Sequence, residues 1–269
     1  MKKTIAIILT LVLALSLAAC GGAKADDKTI TIAASPTPHA EILGVVAQVL
    51  AEQGWTLEIK EYTDYVQPNL VVDDGEIDAN YFQHVPYLKT FNEENGTKLV
   101  SVAMVHYEPF GIYAGTKSSL EELAEGDKIA IPNDGSNRAR ALLLLEAQGL
   151  IKLKDGVGVD ATDLDIVENK LNLDIYPMEA AQIANIRDSV ALAVINGNYA
   201  LQAGLNAGVD ALAVEDSASI SATTYANIIV VKEGNEETEK TKALVEAVLS
   251  DAVRNYINEN YSGAVVPIF

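Results

Sequence analysis

The chain has 269 residues, with 38 Asp and Glu against 19 Lys and Arg, and a formal net charge of −19 at pH 7. A surface this acidic repels polyanions, which excludes nucleic acid and anionic membrane surfaces as partners. The length allows a large core and exceeds the usual size of a single domain. The sequence contains no P-loop, G-x-S-x-G, H-E-x-x-H or C-x-x-C motif. We therefore predict a protein that is not an enzyme and that holds no cofactor.

The N-terminus predicts export and a lipid anchor. The apolar run 5–17 is shorter than the roughly 20 residues of a transmembrane helix, as in a signal peptide. Leu17-Ala18-Ala19-Cys20 resembles a bacterial lipobox, and it contains the only cysteine of the chain. We predict a signal peptide at 1–19, followed by a lipidated Cys20 and a flexible tether at 20–27. Two acyl chains anchor a protein stably, so we expect an extracytoplasmic protein that touches the bacterial cell membrane only through its lipid. The alternative is an ordinary signal peptide.

Strands and helices alternate along the rest of the chain, which predicts the α/β class. Residues 28–55 have the pattern strand, loop, helix, and residues 128–151 repeat it. In open α/β sheets, ligands bind beside the carboxyl ends of the strands, where each of these helices would begin. We predict two lobes that face each other across a ligand cleft. Lobe 1 comprises 28–112 plus 227–269, and lobe 2 comprises 113–226.

The remaining segments agree with this class. Residues 55–60 alternate as a half-buried strand does, and Val190–Ile195 is a continuous apolar run typical of a strand covered on both faces. Thr238–Tyr261 has the apolar stripe of one long helix. We predict that two crossing strands join the lobes, near Tyr107–Tyr113 and Tyr225–Val231.

The segment Tyr62–Leu88 is rich in aromatic residues. It holds five of the 16 Phe, Trp and Tyr residues, mixed with Asp, Asn and Gln. Apolar faces with a few polar groups are typical of a pocket wall, and ordinary core is the alternative.

Several motifs in the chain resemble the NlpA lipoprotein family, the methionine-binding lipoproteins of bacterial ABC importers. The motifs are Ser35–Leu43, Thr63–Asn69, Asp78–Leu88, His106–Pro109, Ile131–Asp134 with Asn137 and Arg140–Leu142, and Val194–Ala200. The resemblance implies a two-lobed periplasmic-binding-protein fold of type 2. It also implies capture of methionine, L and/or D, or a close analogue, and its delivery to an ABC permease with a cytoplasmic ATPase. The chain departs from the family pattern at Gly135, Arg138 and Ala139, in one loop.

A free amino acid needs a cation for its carboxylate and acceptors for its ammonium group. Arg140, in the first turn of the helix that opens lobe 2, suits a two-point contact with a carboxylate. Amides at strand ends suit either group, and aromatic rings suit a thioether. Histidines beside those rings would line the pocket and give one hydrogen bond each. The predicted ligand-binding residues are Tyr65, Phe82, His84, Tyr87, His106, Arg140, Asn198 and Asn227, with Asn196 as a further candidate.

Each choice has a simpler alternative. Arg140 would otherwise be a surface arginine, the asparagines strand-end caps, and the aromatic residues core. A different function is a metal-ion-binding lipoprotein of an ABC importer, with His39, His84, His106 and a carboxylate as ligands. The chain lacks a His-rich loop, and an arginine in the cleft would repel a cation. A hydrolase is disfavoured because the chain contains no nucleophile elbow or paired Ser/Cys–His signal.

Overall fold

The computed structural model describes residues 28–215 and 221–269. The predicted signal peptide, Cys20 and the tether lie outside these residues. In the part that the structure describes, every helix is too short or too polar to cross a bilayer.

A six-stranded mixed sheet contains the first strands of the chain and two later ones. Its order is β13-β4-β12-β3-β1-β2. The strands are β1 Thr29–Ala34, β2 Thr56–Glu61, β3 Ala79–His84, β4 Leu99–Tyr107, β12 Asn227–Lys232 and β13 Val266–Pro267. β1 runs parallel to both β2 and β3, whereas β12 is antiparallel to β3 and β4. The carboxyl ends of β1 and β3 therefore lie at the same edge as the start of β12.

A five-stranded mixed sheet, of order β11-β5-β10-β6-β9, forms the second lobe. Its strands are β5 Gly111–Ala114, β6 Lys128–Pro132, β9 Asp174–Met178, β10 Leu192–Ile195 and β11 Ala211–Val214. β6 is parallel to β9 and β10, and β5 is antiparallel to β10 and β11. A separate hairpin pairs β7 Lys152–Leu153 with β8 Ile166–Glu168.

Helices cover the faces of both sheets. In chain order they are α1 Glu41–Glu52, α2 Gln67–Asp73, α3 Val85–Asn95, α4 Gly135–Ala147, α5 Ala180–Ile183, α6 Gly197–Gln202, α7 Ala207–Asp210, α8 Ser221–Thr224, α9 Glu239–Val248 and α10 Asp251–Asn260. A π-helical turn covers Pro36–Ala40, and short 3₁₀ turns cover Leu120–Glu122, Gly158–Asp160, Asp163–Asp165 and Ala184–Ser189. α1 buries Ile42, Val46 and Leu50, spaced one helical turn apart, against the first sheet. α4 buries Leu142 and Leu145 in the core of the second lobe.

The two sheets are joined by short segments. β4 ends at Tyr107 and β5 begins at Gly111, so residues 108–110 form the first link. The second link runs from the end of β11 to the start of β12 and includes residues outside the described ranges. Gly111 and Ile112 pair with strands of the second sheet, although the predicted boundary places them in lobe 1.

One predicted helix differs from the structure. The helix expected over residues 238–261 is two helices, α9 and α10, which are separated at Leu249 and Ser250. Ser250 has an extended backbone, φ −78° and ψ 156°, and takes the N-cap position of α10. The break lets both helices pack on α1, as their shared core cluster shows.

Candidate functional site

A buried cavity lies between the two sheets, at the carboxyl ends of β3, β6 and β10. The space left free between its walls is small, about 20 Å³, so the lining residues of the two lobes lie close together. Its walls come from both lobes and from the link between them. The lining residues are Tyr65, Phe82, Gln83, His84, Tyr87, Glu108, Asn137, Arg140, Asn196, Gly197, Asn198 and Asn227.

Local structure explains why these residues meet. β3 ends at His84, and the first residue of β12, Asn227, pairs with it in the antiparallel ladder. In the other lobe, α4 follows β6 and α6 follows β10, so the first turns of both helices face the cleft. Asp134 caps α4 by accepting a hydrogen bond from the backbone N–H of Asn137, at 2.9 Å. The helix start is thereby fixed, and Arg140 projects from its second turn.

The structure brings together all the predicted ligand-binding residues except His106. Eight of the nine, from Tyr65 to Asn227, line the cavity. His106 lies beneath it, with no exposed surface. Its Nε2 hydrogen-bonds the Glu108 carboxylate at 2.8 Å, and its Nδ1 hydrogen-bonds the hydroxyl of Tyr81. His106 therefore supports a residue of the cavity wall.

Aromatic rings form one wall of the cavity. The ring centroids of Tyr65, Phe82 and Tyr87 lie 5.7–5.9 Å from one another. Tyr199 extends the wall, 4.9 Å from Tyr65. The hydroxyls of both tyrosines are engaged within the protein. Tyr65 donates to Asn198 Oδ1 at 2.5 Å, and Tyr87 donates to the carbonyl of Tyr65 at 2.9 Å. The wall thus presents carbon faces to the cavity, which suits an apolar or thioether side chain.

Arg140 brings the positive charge of the site. Its Nε and Nη2 donate to the two carboxylate oxygens of Glu215, at 2.8 and 2.6 Å, and Nη2 also donates to the carbonyl of Glu108 at 3.0 Å. Burial by itself would lower the pKa of Arg140, but Glu215 outweighs it and raises that pKa above its ordinary value. The two-point edge predicted for a ligand carboxylate is therefore held by Glu215. Among the described residues, none accepts a hydrogen bond from Nη1.

Two asparagines of the cavity carry unsatisfied atoms. Asn198 Nδ2 and Asn196 Oδ1 are buried, and neither has a hydrogen-bond partner within the described part of the chain. The other ends of these amides are engaged: Asn198 Oδ1 by Tyr65, and Asn196 Nδ2 by Asn137 Oδ1 at 2.8 Å. A buried polar atom without a partner costs about 1–3 kcal/mol. One free donor and one free acceptor in the same cavity match the two ends of a zwitterion.

The remaining polar residues of the cavity are neutral histidines and their partners. His84 accepts from the backbone N–H of Tyr87 and donates through Nε2 to Asn137, at 3.1 Å. Burial and the nearby Arg140 charge lower the pKa of His84 to about 3. Both ring nitrogens of His84 are thus engaged in hydrogen bonds, and the uncharged ring forms part of the cavity wall. Asn227 accepts from Nε2 of His39 at 2.9 Å.

Glu108 is the carboxylate of the cavity that sequence reasoning missed as a ligand-binding residue. It is 5 % exposed and sits in the link between the lobes. It hydrogen-bonds His106 of lobe 1, and it packs against the start of α6 in lobe 2, where a Cβ atom on Gly197 would lie 2.6 Å from its Cβ. Burial raises its pKa, although His39 opposes that shift. Its sequence signal is a single charge in the uncharged run Tyr107–Ala114.

Asn137, Gln83, Tyr199 and Glu215 were also outside the predicted set. Asn137 belongs to one of the motifs that carry the family resemblance, but it was not predicted to bind the ligand. Glu215 follows β11, 75 residues from its partner Arg140 along the chain, and no local pattern distinguishes it from other glutamates of the chain.

The chain is similar to known proteins in both sequence and structure. The family model described as NlpA lipoprotein matches residues 30–269. The chain is 43 % identical over 276 residues to the methionine-binding lipoprotein MetQ of Bacillus subtilis strain 168, covering 100 % of this chain and 99 % of that protein. It is 42 % identical over 267 residues to the D-methionine-binding lipoprotein MetQ of Salmonella typhimurium, covering 98 % and 97 %.

A solved structure extends the likeness to the fold. The nutrient-binding protein from Burkholderia cenocepacia bound to methionine superposes with a TM-score of 0.85 and 41 % identity, covering 89 % of this chain and 100 % of that one. The two-lobed α/β periplasmic-binding-protein fold predicted from the sequence is confirmed.

The metal-ion alternative is not supported. The structure does gather His39, His106 and Glu108, whose ligand atoms lie within 4.8 Å of one another. His84, which that alternative included, is instead bound to Asn137. His106 directs its two ring nitrogens at Tyr81 and Glu108, and His39 directs Nε2 at Asn227, so these hydrogen bonds support the cavity wall. The relatives named for a ligand are named for methionine.

Proposed function

Because the chain belongs to the NlpA lipoprotein family, we propose that it is an extracytoplasmic lipoprotein that captures methionine, L and/or D, and delivers it to an ABC-type amino-acid importer. The observation that carries the proposal is a single cavity that combines three features. It has an aromatic wall, a buried arginine, and a free amide donor and acceptor. Apolar length plus a zwitterionic head is the chemistry of methionine.

Each part of methionine has a counterpart in the cavity. Its carboxylate would accept from Arg140 Nη1 and from Asn198 Nδ2. Its ammonium group would donate to Asn196 Oδ1 and to the Glu108 carboxylate. The thioether would lie among Tyr65, Phe82 and Tyr87, since sulfur–aromatic contacts contribute about 0.3–1.5 kcal/mol each. In this arrangement His84 and Asn227 complete the walls.

The partners follow from this role. Methionine captured outside the cell would pass to a membrane permease whose cytoplasmic ATPase drives uptake, and the lipid on Cys20 would keep the binding protein beside that permease. The net charge of −19 disfavours direct contact with anionic lipid or nucleic acid. The protein would release its ligand chemically unchanged, as a carrier and not as an enzyme.

Native mass spectrometry of the protein as purified tests the proposal, because tightly bound ligands co-purify. The expected result is a population heavier than the apoprotein by one methionine, which disappears in the Arg140→Ala variant. An Arg254→Ala variant is a matched control, since Arg254 lies on the surface near Asp251. Apoprotein that gains no methionine mass, even after incubation with an excess of the amino acid, would contradict the function.

A further inference from the structure

Arg140 lines the cavity, and Glu215 pairs with it from outside that lining. The side chains are 5 % and 8 % exposed, and the contact is bidentate through Nε and Nη2. Charge-assisted pairs of this geometry are about twice as strong as neutral hydrogen bonds and strongly directional. Glu215 therefore occupies Nε and Nη2, and Nη1 is the guanidinium nitrogen that no described residue engages.

Glu215 is itself held from two sides. Its Oε2 accepts from the hydroxyl of Tyr107 at 2.8 Å, and its backbone N–H donates to the carbonyl of Phe110 at 3.0 Å. The guanidinium carbon of Arg140 lies 4.3 Å from the ring centroid of Tyr225 and 4.8 Å from that of Phe110. The rings of Phe110, in the link, and Tyr225, just before β12, thus lie against the guanidinium, and Nη1 is its nitrogen that no described residue engages.

The pair also sets the charge of the cavity. The negative charge of Glu215 cancels that of Arg140, and His84 is neutral because both of its nitrogens are engaged within a buried site. Glu108 is then the remaining ionisable carboxyl group in the lining. The fixed charge is zero with Glu108 protonated and minus one with Glu108 ionised. Such a cavity accepts a zwitterion, whereas an organic anion without an ammonium group adds an uncompensated buried charge.

We propose that Glu215 is the specificity-determining residue that makes this site select zwitterionic α-amino acids over carboxylic acids that lack the amino group. It does so by cancelling the charge of Arg140 while Nη1, which no described residue engages, donates to the ligand. The inference rests on the proposed function and deepens it. Glu215 disfavours the wrong ligands by its negative charge. Without it, the uncancelled charge of Arg140 would attract any small carboxylate.

Two fragments of methionine isolate this effect. One, 4-(methylthio)butanoate, lacks the ammonium group and is an anion; the other, 3-(methylthio)propylamine, lacks the carboxylate and is a cation. Calorimetry or competition against methionine gives the ratio of their dissociation constants. We expect wild-type protein to prefer the amine. Glu215→Gln, which keeps the shape and removes the charge, should shift the ratio toward the butanoate by about tenfold or more, as expected for a charge removed at this distance.

Two control variants separate charge from structure. Tyr107→Phe removes the hydroxyl that donates to Glu215 but keeps both charges, so the ratio should stay within about threefold of wild type. Glu52→Gln removes an exposed carboxylate at the end of α1 and should change nothing. A merely structural Glu215 would weaken methionine and both fragments alike in Glu215→Gln, and an unchanged ratio overturns the proposal.

The wild-type measurement decides the matter if Glu215→Gln does not fold. A wild-type cavity that binds the butanoate more tightly than the amine carries an uncancelled positive charge, and that order overturns the proposal. Different results would contradict the role of Glu215 and the proposed methionine-binding function. If wild-type protein binds methionine but shows the wrong fragment order or an unmoved ratio, only the role of Glu215 falls. If it does not bind methionine at all, the function falls and takes this inference with it.

Discussion

Arg140 is the residue whose removal should affect ligand binding most. Arg140→Ala is expected to weaken methionine binding by about 2–5 kcal/mol, the range for breaking a buried charge pair. Methionine amide, which lacks the carboxylate, should bind wild-type protein poorly. Calorimetry with both ligands checks this, and equal affinity for acid and amide would rule out a carboxylate contact.

Loss of stability has to be separated from loss of binding in that experiment. Arg140→Ala leaves the buried Glu215 without its partner, which costs about 3–5 kcal/mol of folding free energy. The double variant Arg140→Ala/Glu215→Ala removes the unpaired charge and should recover part of the stability, while methionine binding stays weak. Unfolding curves for the three proteins provide the comparison.

Acidification should destabilise the protein through its buried histidines. The folded pKa of His84 is lowered to about 3 and that of His39 to about 4, first by burial. A lowered pKa means that the folded state favours the neutral ring. The contribution of each histidine to the free energy of unfolding is therefore fully present above pH 6.5, where the ring is neutral in the unfolded chain as well. It is lost as pH falls from 6.5 through the folded pKa, by at most about 1.4 kcal/mol per pH unit for each histidine.

His84→Gln tests that dependence. The free energy of unfolding of wild type, measured between pH 7 and pH 4.5, should fall more steeply than that of the variant, whose glutamine does not titrate. Glu108 acts in the opposite direction, because its raised pKa favours the folded state at low pH, but it is present in both proteins. Parallel curves for the two proteins would mean that His84 titrates normally.

At the scale of single residues, sequence patterns located most of the site. Arg140 and the asparagines were found because a cation and amides at strand and helix ends suit the carboxylate and ammonium groups of a free amino acid. Glu215 was not, since its partner Arg140 lies 75 residues away along the chain, and Glu108 was not, since a single carboxylate does not by itself indicate a binding role. His106 was placed in the pocket by its neighbours, whereas the ladder of β4 directs it beneath Glu108.

At the scale of elements, α6 has to pack closely on the link between the lobes. A Cβ atom at Gly197 would lie 2.6 Å from the Glu108 Cβ and 2.7 Å from its Oε2. Gly197→Ala should therefore push Glu108 out of place and weaken methionine binding by about tenfold or more, since overpacking costs roughly 1–3 kcal/mol. Titration calorimetry measures the effect.

Gly44 provides the matched control. It lies inside α1, and a Cβ there meets nothing within 4 Å. Gly44→Ala should leave methionine affinity unchanged and raise the free energy of unfolding by about 0.5–1 kcal/mol, because alanine favours helices over glycine. Wild-type affinity in Gly197→Ala would show that Glu108 and α6 can separate without cost.

Element types were easier to predict than their limits. β6, α1 and β10 follow directly from apolar periodicity, and all four residues of β10 are buried as a strand covered on both faces requires. The break between α9 and α10 was missed because the apolar stripe continues through it. Ser250 at the N-cap and Asp251 in the first turn are the local signal for a second helix start, and both helices share the core cluster of α1.

At the scale of the whole molecule, the lipid on Cys20 should determine where the protein resides. Cys20→Ala removes the sulfur that would carry the proposed lipid, so the variant should leave the membrane fraction and appear in the soluble extracytoplasmic fraction. Cell fractionation followed by immunoblotting provides the measurement, and Cys20→Ala that stays in the membrane fraction would refute the anchor. Methionine affinity of the variant should equal that of wild type, because the cavity is formed entirely by later residues.

The two-lobed architecture was predictable because the strand–loop–helix unit occurs twice, and a cavity between such units forms where carboxyl strand ends face each other. What the sequence could not supply is the closed arrangement of the lobes. It depends on contacts such as Tyr65 with Asn198 and Glu108 with the start of α6, which join residues from different lobes.

The central claim is that the aromatic wall recognises the methionine side chain while the polar side of the cavity recognises its zwitterionic head. Calorimetry of methionine, norleucine, methionine sulfoxide and glutamate against wild type and Phe82→Ala tests it most directly. Norleucine should bind only about 1 kcal/mol more weakly than methionine, because it loses just the sulfur term. The sulfoxide should bind more weakly still, since both nitrogens of His84 are already engaged, and glutamate weakest, with its second carboxylate desolvated and unpaired. Glutamate binding as tightly as methionine, or unchanged affinities in Phe82→Ala, would contradict the account.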